Sequence, residues 1–215
     1  MHPIKLKFYA YLACIIILFS CKQSAINSVD NLPKPEIKGG KPLMIALRDR
    51  CSTREFSNKE LTVQEISNLL WAANGINRPE MGKHTAPSAC NRQDIDIYVA
   101  LKSGVFFYNS INQQLEKKID NDIRADIGRQ AFVKEAPICL IYVADFAKTC
   151  GDDSSKIIYS SADAAYISEN VYLFCASENL ATVVLGMVDR TFLSNKLLLR
   201  KEQKIIFAQP VGFKK

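Results

Sequence analysis

The chain has 215 residues, of which 48% are hydrophobic and 23% are charged. This is an ordinary globular composition with enough residues for one well-buried domain, and nine glycines and eight prolines exclude collagen-like and low-complexity proteins. Without Lys5 and Lys7, 26 basic and 22 acidic residues remain, a net charge of +4. Because this excess is small and its lysines and arginines are scattered, the composition does not favour a nucleic-acid-binding protein.

The first twenty residues have the pattern of an export signal. Two lysines precede residues 8–19, twelve uncharged positions, which are too few for a membrane-spanning helix and typical of a signal-peptide core. Residues 18–21, Leu-Phe-Ser-Cys, resemble a bacterial lipobox. We therefore expect residues 1–20 to be a lipoprotein signal peptide and Cys21 to be lipidated, which would anchor the exported protein in the cell envelope, at its periplasmic or outer-surface face. An uncleaved apolar helix or a buried N-terminal strand is the alternative interpretation.

Residues 21–42 are polar and rich in residues that interrupt helices and strands. They include Pro33, Pro35, Gly39, Gly40 and Pro42, and no helical or strand period continues through them. The sequence therefore predicts a flexible tether over 21–42 and one folded domain over 43–215.

Hydrophobic periodicity predicts an α+β domain. A short helix is expected to end near Arg50, and a capping box, Thr62 with Glu65, begins the next helix. Helices are predicted at 62–74, 121–134 and 160–179 and after Asp189, and strands at 94–101, 105–108, 138–144, 181–185 and 204–211. A tight turn between the first two strands excludes an all-parallel sheet, so we expect a mixed sheet flanked by helices. The helix at 160–179 is apolar on more than one face, which predicts a long central helix buried on both sides.

Cysteine and histidine usage narrows the chemistry. The seven cysteines leave five after signal cleavage and lipidation, and none forms a C-x-x-C pair, so neither a disulfide framework nor a zinc site is expected. Cys139 and Cys175 stand in apolar runs and are predicted to lie in the core. The mature chain would keep a single histidine, His84.

A first candidate binding segment follows the first short helix. Arg50 and Arg54 are four residues apart and would share one face of a helical turn. With Ser52 between them, they could hold a phosphate group through charge-assisted hydrogen bonds. On spacing alone, a solvated basic surface is the more common interpretation.

Two further segments offer polar groups to a ligand. Residues 84–93 combine small residues around Pro87 with the amides of Asn91 and Gln93, which can bind carbonyl and N–H edges. Residues 185–187 place Gly186 after a predicted buried strand, where its backbone N–H could approach a ligand. Each segment by itself is also compatible with an ordinary loop or turn.

Read in order, these segments resemble the nitroreductase family. The resemblance is carried by Arg-x-Ser-x-Arg-x-Phe at 50–56, Leu-Leu-Trp-Ala-Ala-Asn-Gly-Ile-Asn-Arg at 69–78, Thr-Ala-Pro-Ser-Ala-x-Asn-x-Gln at 85–93 and Val-Gly-Phe at 211–213. It is colinear over about 43–213 and points to the compact branch that includes the SagB-type oxidases.

This resemblance implies an FMN site at the interface of an intertwined homodimer. Matching positions assign the phosphate and ribityl chain to Arg50, Ser52 and Arg54, with Cys51 standing where a second arginine is common. The partner subunit would line the ring with Pro87, Ser88, Ala89 and Asn91. Backbone at Leu185 and Gly186 would lie at the reactive edge of the ring, and Lys214 or Lys215 would complete the phosphate site.

The implied activity is ping-pong hydride transfer through the flavin. The donor would be a reduced nicotinamide or another small molecule, and the acceptor a small nitroaromatic or quinone-like compound. Because the flavin carries the chemistry, no catalytic side chain and no metal are expected. Three alternatives remain: a SagB-like oxidase of a peptide-derived substrate, a non-catalytic flavin-binding lipoprotein, and a family member without flavin.

Overall fold

The computed structural model describes residues 30–215. The predicted signal peptide and the lipidation site at Cys21 lie outside these residues. Among the described residues, no helix is both long enough and apolar enough to cross a membrane.

Five α-helices and nine strands make up the described chain. The helices are α1 (Leu43–Asp49), α2 (Val63–Asn74), α3 (Arg124–Ile127), α4 (Asp153–Ser177) and α5 (Arg190–Lys196). The strands are β1 (Asp30–Asn31), β2 (Ile76–Arg78), β3 (Lys83–His84), β4 (Ile95–Leu101), β5 (Gly104–Asn109), β6 (Gln114–Ile119), β7 (Ile138–Asp145), β8 (Leu180–Thr182) and β9 (Gln203–Phe213). Short 3₁₀ helices cover Pro79–Met81, Ala89–Asn91 and Ala131–Glu135.

Seven strands form one sheet in the order β1-β6-β5-β4-β7-β9-β8, and β2 and β3 form a separate hairpin. Every strand pair in the described sheet is antiparallel, so the α+β class is confirmed but the expected mixture of parallel and antiparallel pairs is wrong. The reason lies in the crossover through α4. Strands β7 and β8 point the same way, but β9 lies between them and pairs antiparallel with both.

The sheet is covered on both faces, in agreement with the predicted sheet flanked by helices. Along β7, Leu140 and Tyr142 pack into the cluster that contains residues of α2 and α4, whereas Cys139 and Ile141 pack into the cluster that contains Leu193 of α5. This alternation follows from the two-residue period of a strand. All eight residues of β7 are therefore buried, which explains its continuous apolar sequence.

Helix α4 is longer than predicted, and one of its faces is exposed. Its N-cap is Asp152, whose carboxylate accepts a hydrogen bond from the Ser155 N–H. The first turn is polar, so hydrophobic periodicity could not show where the helix begins. The burial on both sides predicted for 160–179 is wrong for a single chain, because Tyr166 in that range is 50% exposed. The turns that precede it expose further apolar residues by about half or more: Ile157, Ile158 and Tyr159.

Two other elements differ from their predictions. The single helix expected at 121–134 is divided into α3 and a 3₁₀ helix because Gly128 adopts an extended conformation and pairs with Val188. Strand β6 was not predicted, since four of its six residues are polar and only Leu115 is fully buried. The capping box of α2 and the Asp189 cap of α5 are confirmed.

Residues 30–42 pack against the domain, although the sequence predicts them to be part of the flexible tether. Strand β1 pairs with β6, and Leu32 is only 6% exposed. Side chains of α2 bind this segment, since Ser67 Oγ donates to the Pro33 carbonyl (2.5 Å) and Asn68 Oδ1 accepts from the Glu36 N–H (2.8 Å). These side chains form hydrogen bonds with backbone groups of a proline-rich segment that has no helical or strand periodicity.

Candidate functional site

Residues 50–57 lie beside the edge of the sheet formed by β8 and the end of β9. Thr53 donates its N–H to the Thr182 carbonyl (2.9 Å), and Ser57 donates to the Phe213 carbonyl (2.9 Å). Phe56 forms an antiparallel bridge with Lys214. The fold thus brings the arginine segment next to both the strand that leads to Gly186 and the segment that carries Lys214.

The side chain of Tyr172 joins these parts. Its hydroxyl lies 2.9 Å from Ser52 Oγ and accepts a hydrogen bond from the Val184 N–H (2.9 Å). The guanidinium carbon of Arg50 lies 5.3 Å from the centre of the Tyr172 ring, within the range of a cation–π contact. The sequence pattern alone gives Tyr172 no role in the site, although a phenol on the apolar face of a helix generally requires a hydrogen-bond partner.

The guanidinium groups of Arg50 and Arg54 make no hydrogen bond or ion pair with residues 30–215. Other arginines in this part of the chain are engaged: Arg124 binds Asp122 and two backbone carbonyls, and Arg200 binds Asp145. Arg54 is exposed and Arg50 partly exposed. Both guanidinium groups are therefore available to an anionic ligand.

Cys51 and Lys214, the other residues assigned to the phosphate end, are both exposed. The Cys51 thiol lies 3.5 Å from Thr53 Oγ1. Lys214 makes no side-chain hydrogen bond or ion pair in the described part of the chain. A thiol contributes no positive charge, so cations at this end come from the two arginines and the C-terminal lysines.

Leu185 and Gly186 differ sharply in their surroundings. Leu185 is buried and exchanges two backbone hydrogen bonds with Ala208 (2.7 and 3.1 Å). Gly186 is exposed, its N–H has no partner within residues 30–215, and no atom would lie within 4 Å of an added Cβ. A flat ligand could therefore approach the Gly186 backbone closely and accept its hydrogen bond.

The loop at 87–91 lies elsewhere on the same chain. The Ala89 N–H donates to both carboxyl oxygens of Asp163 (3.1 and 3.0 Å). Asp163 precedes Tyr172 by nine residues on α4, which corresponds to about 13 Å along the helix axis. Within one chain, the first and third predicted segments are brought together, and the loop that carries Pro87, Ser88, Ala89 and Asn91 is not.

Two buried carboxyl groups, Asp163 and Asp94, lie close to this loop. Asp94 is fully buried and accepts a hydrogen bond from Ser160 Oγ (2.6 Å), but its Oδ1 atom has no hydrogen-bond partner within residues 30–215. Burial is the main cause that raises the pKa of Asp163 to about 6, and the adjacent Asp94 carboxyl adds to this rise, against the Ala89 N–H, which favours the ionised form. Burial and the neighbouring carboxyl therefore favour the protonated form of Asp163.

Neither a metal site nor a closed cavity accounts for the candidate residues. Within residues 30–215, no group of three or more His, Cys, Asp or Glu side chains could hold a metal ion. A groove of about 460 Å³ lies between residues 36–41 and helices α2 and α4, and it includes Trp71 and Asn170 but none of Arg50, Ser52 or Gly186. In a single chain, Ser52 and Gly186 are exposed and Arg50 is partly exposed.

Comparisons with known proteins agree with this fold. The sequence profile described as "Nitroreductase family" matches residues 47–213. A predicted nitroreductase of Methanocaldococcus jannaschii is 30% identical over 180 residues, which cover 77% of this chain and 87% of that protein.

Solved structures show the same relationship. The crystal structure of a predicted nitroreductase from Ralstonia eutropha JMP134 has 38% sequence identity and a TM-score of 0.84, covering 88% of this chain and 90% of that chain. The NADPH:FMN oxidoreductase of Vibrio harveyi, solved with NAD⁺, shares the fold with a TM-score of 0.61 at 18% identity, covering 80% of this chain and 69% of that chain. The profile match over most of the chain, together with these relatives, shows that this protein belongs to the nitroreductase family.

Proposed function

We propose that the protein is an FMN-dependent oxidoreductase that passes a hydride from a reduced nicotinamide, or another donor, to a small nitroaromatic or quinone-like acceptor. Membership of the nitroreductase family supports oxidoreductase chemistry. The observation that carries the flavin assignment is the pair of guanidinium groups on Arg50 and Arg54, in the segment that carries Ser52, which make no hydrogen bond or ion pair within residues 30–215.

These residues fit the two ends of FMN. The phosphate is a dianionic acceptor, and Arg50, Arg54 and Ser52 are donors of which two carry positive charge. At the other end, the exposed Gly186 N–H suits a carbonyl or nitrogen at the edge of a planar ring. When bound, FMN supplies the hydride chemistry, and the protein supplies binding, orientation and electrostatic stabilisation.

The proposal includes a homodimer in which the loop at 87–91 comes from the partner subunit. Two observations support it. The loop lies about 13 Å along α4 from the Tyr172 level in its own chain, too far to line a ring whose edge lies at Gly186 while Ser52 binds the phosphate. Helices α1 and α4 also expose apolar side chains that a second copy would cover: Leu43, Met44, Leu47, Ile158 and Tyr166.

A flavin reconstitution experiment tests the proposal. The full chain, purified in detergent and supplied with FMN, should retain a yellow chromophore that absorbs near about 450 nm, as oxidised flavins do. Anaerobic addition of NADH or NADPH should bleach this absorbance, and a nitroaromatic or quinone should restore it. A protein that stays colourless with excess FMN contradicts the flavin assignment, whereas a yellow protein that neither nucleotide reduces contradicts only the choice of donor.

We also propose that Cys21 carries a lipid that holds the protein at the cell envelope. The lipobox-like residues 18–21 support this location. Replacing the thiol in Cys21→Ala should move the protein from the membrane fraction to the soluble fraction, and retention in the membrane would contradict the proposed anchor.

A further inference from the structure

We infer that Tyr172 is a positioning residue that orients the Ser52 hydroxyl as a hydrogen-bond donor toward the phosphate of the bound flavin, and so selects FMN over riboflavin. The inference rests on the proposed function, because it concerns the phosphate end of the same site. It is drawn from the contacts that the buried Tyr172 side chain makes with Ser52, Val184 and Arg50.

The direction of each hydrogen bond at Tyr172 follows from its partners. The Val184 N–H can only donate, so the phenol oxygen accepts this bond. Tyr172 is 7% exposed, and Ser52 Oγ is the remaining polar atom within residues 30–215 that lies within hydrogen-bond distance of its hydroxyl. The phenol hydrogen is therefore directed at Ser52 Oγ.

This arrangement fixes what Ser52 can offer. With its oxygen accepting from Tyr172, the Ser52 hydroxyl keeps its own hydrogen free, and no other residue of the described chain accepts it. Ser52 is exposed, so this hydrogen is accessible to a ligand. A phosphate oxygen can only accept hydrogen bonds, whereas a ribityl hydroxyl also donates one. The phosphate is therefore the better partner for a Ser52 hydroxyl whose hydrogen is free to donate.

The aromatic ring of Tyr172 places a second phosphate ligand. The Arg50 guanidinium lies 5.3 Å from the ring centre, and a guanidinium over a ring face keeps its N–H edges free for hydrogen bonding. One buried residue therefore orients both a hydroxyl donor and a cation. The hydroxyl and ring contributions can be separated, because phenylalanine keeps the ring and loses the hydroxyl.

The test compares FMN with riboflavin, which lacks the phosphate. Dissociation constants are measured by quenching of flavin fluorescence for the wild type, Tyr172→Phe, Ser52→Ala and the double variant. Tyr172→Phe should weaken FMN binding about tenfold, the effect of one lost charge-assisted hydrogen bond, and change riboflavin binding less than about twofold. Both single variants disrupt the same hydrogen-bonded chain from Tyr172 through Ser52 to the phosphate. The double variant should therefore bind FMN no more weakly than Ser52→Ala alone.

Tyr108→Phe is the matched control. Tyr108 is also a buried tyrosine with one side-chain hydrogen bond, to Gln113 Oε1 (2.8 Å), and it lies on β5 away from the site. The Tyr108→Phe variant should keep the wild-type preference for FMN over riboflavin. The midpoint of thermal unfolding, measured for every variant, shows whether each one folds.

The outcomes separate the inference from the proposed function. An unchanged FMN-to-riboflavin preference in Tyr172→Phe, equal weakening of both flavins, or additive effects in the double variant would each overturn the inference while leaving the flavin assignment in place. A wild-type protein that binds neither flavin would overturn the proposed function and the inference together.

Discussion

Single residues determine the charge at the candidate phosphate site, and Arg54 is one of its exposed cations. Its guanidinium is exposed and has no partner within residues 30–215. Arg54→Ala should therefore reduce FMN affinity by roughly 1–3 kcal/mol, the cost of leaving a charged hydrogen bond unmade, without lowering the free energy of unfolding of the unliganded protein. Lys102→Ala, which removes an exposed cation at the β4–β5 turn, is the control for charge in general. An equal loss of affinity in both variants would place the phosphate elsewhere.

A second prediction at this scale concerns the proton that burial keeps on Asp163. The pKa of Asp163 is raised from 3.8 to about 6, mainly by burial and then by the neighbouring Asp94. The folded protein therefore keeps a proton that the unfolded chain releases, so this contribution to stability is fully present below about pH 4 and is lost as the pH rises through about 6.

Asp163→Asn tests that dependence. An amide can accept from the Ala89 N–H and donate to the unpartnered Asp94 Oδ1 at any pH. Denaturant titrations from pH 4 to 8 should show the variant gaining free energy of unfolding relative to the wild type between about pH 4 and 6 and holding that gain above about pH 7. A difference in unfolding free energy between wild type and variant that does not change with pH would rule out the raised pKa of Asp163.

Sequence reasoning reached some residues of the site and missed others for identifiable reasons. Arg50, Ser52 and Arg54 share a segment whose spacing is visible in the sequence. Tyr172 is recognisable only after α4 is packed against β8, because its partners Ser52 and Val184 are 120 and 12 residues away. Contacts between distant segments are what a single sequence does not specify.

At the scale of elements, the segment before α1 shows that packing can override composition. Leu32 is buried against the main core cluster, whereas Ile37 in the same segment is 66% exposed. Leu32→Ala should lower the free energy of unfolding by about 2–3 kcal/mol, at the low end for a buried leucine because the segment lies at the periphery. Ile37→Ala is the matched control and should change stability by less than about 0.5 kcal/mol. Equal effects, measured by chemical denaturation, would show that residues 30–42 do not pack as described.

Elements with strong local signals were predicted well. The capping box located α2, and the apolar run at 138–144 located β7. Prediction was wrong where local patterns were ambiguous: the apolar residues at 123, 127 and 131 have helical spacing, but Gly128 between them is extended. The polar strand β6 is held by pairing with β5 rather than by its own composition, and pairing partners are distant in the sequence or separated by turns.

At the scale of the whole molecule, the proposed dimer requires that the exposed face of α4 is covered. Tyr166 is 50% exposed on that helix and makes no side-chain hydrogen bond in the described chain. A charge placed there would be buried without a partner in the dimer, so Tyr166→Glu should shift the protein from dimer to monomer in light-scattering measurements and weaken FMN binding, because each ring would lose the partner's loop.

Ile111→Glu provides the control for that experiment. Ile111 is 79% exposed, but it follows β5, on the far side of the sheet order from β8. This variant should remain dimeric. Dissociation of both variants, or of neither, would show that the dimer does not form through α4.

The position of β9 has a consequence for how the chain is made. This strand follows all other described strands in the sequence, yet it separates β7 from β8 in the finished sheet. While a ribosome is still synthesising residues 203–213, β7 and β8 each present an open edge that nothing in the nascent chain can close. The sheet and the alignment of Lys214 beside Phe56 are therefore completed in the same late step, so the growing polypeptide cannot complete its sheet until nearly all of it has been translated.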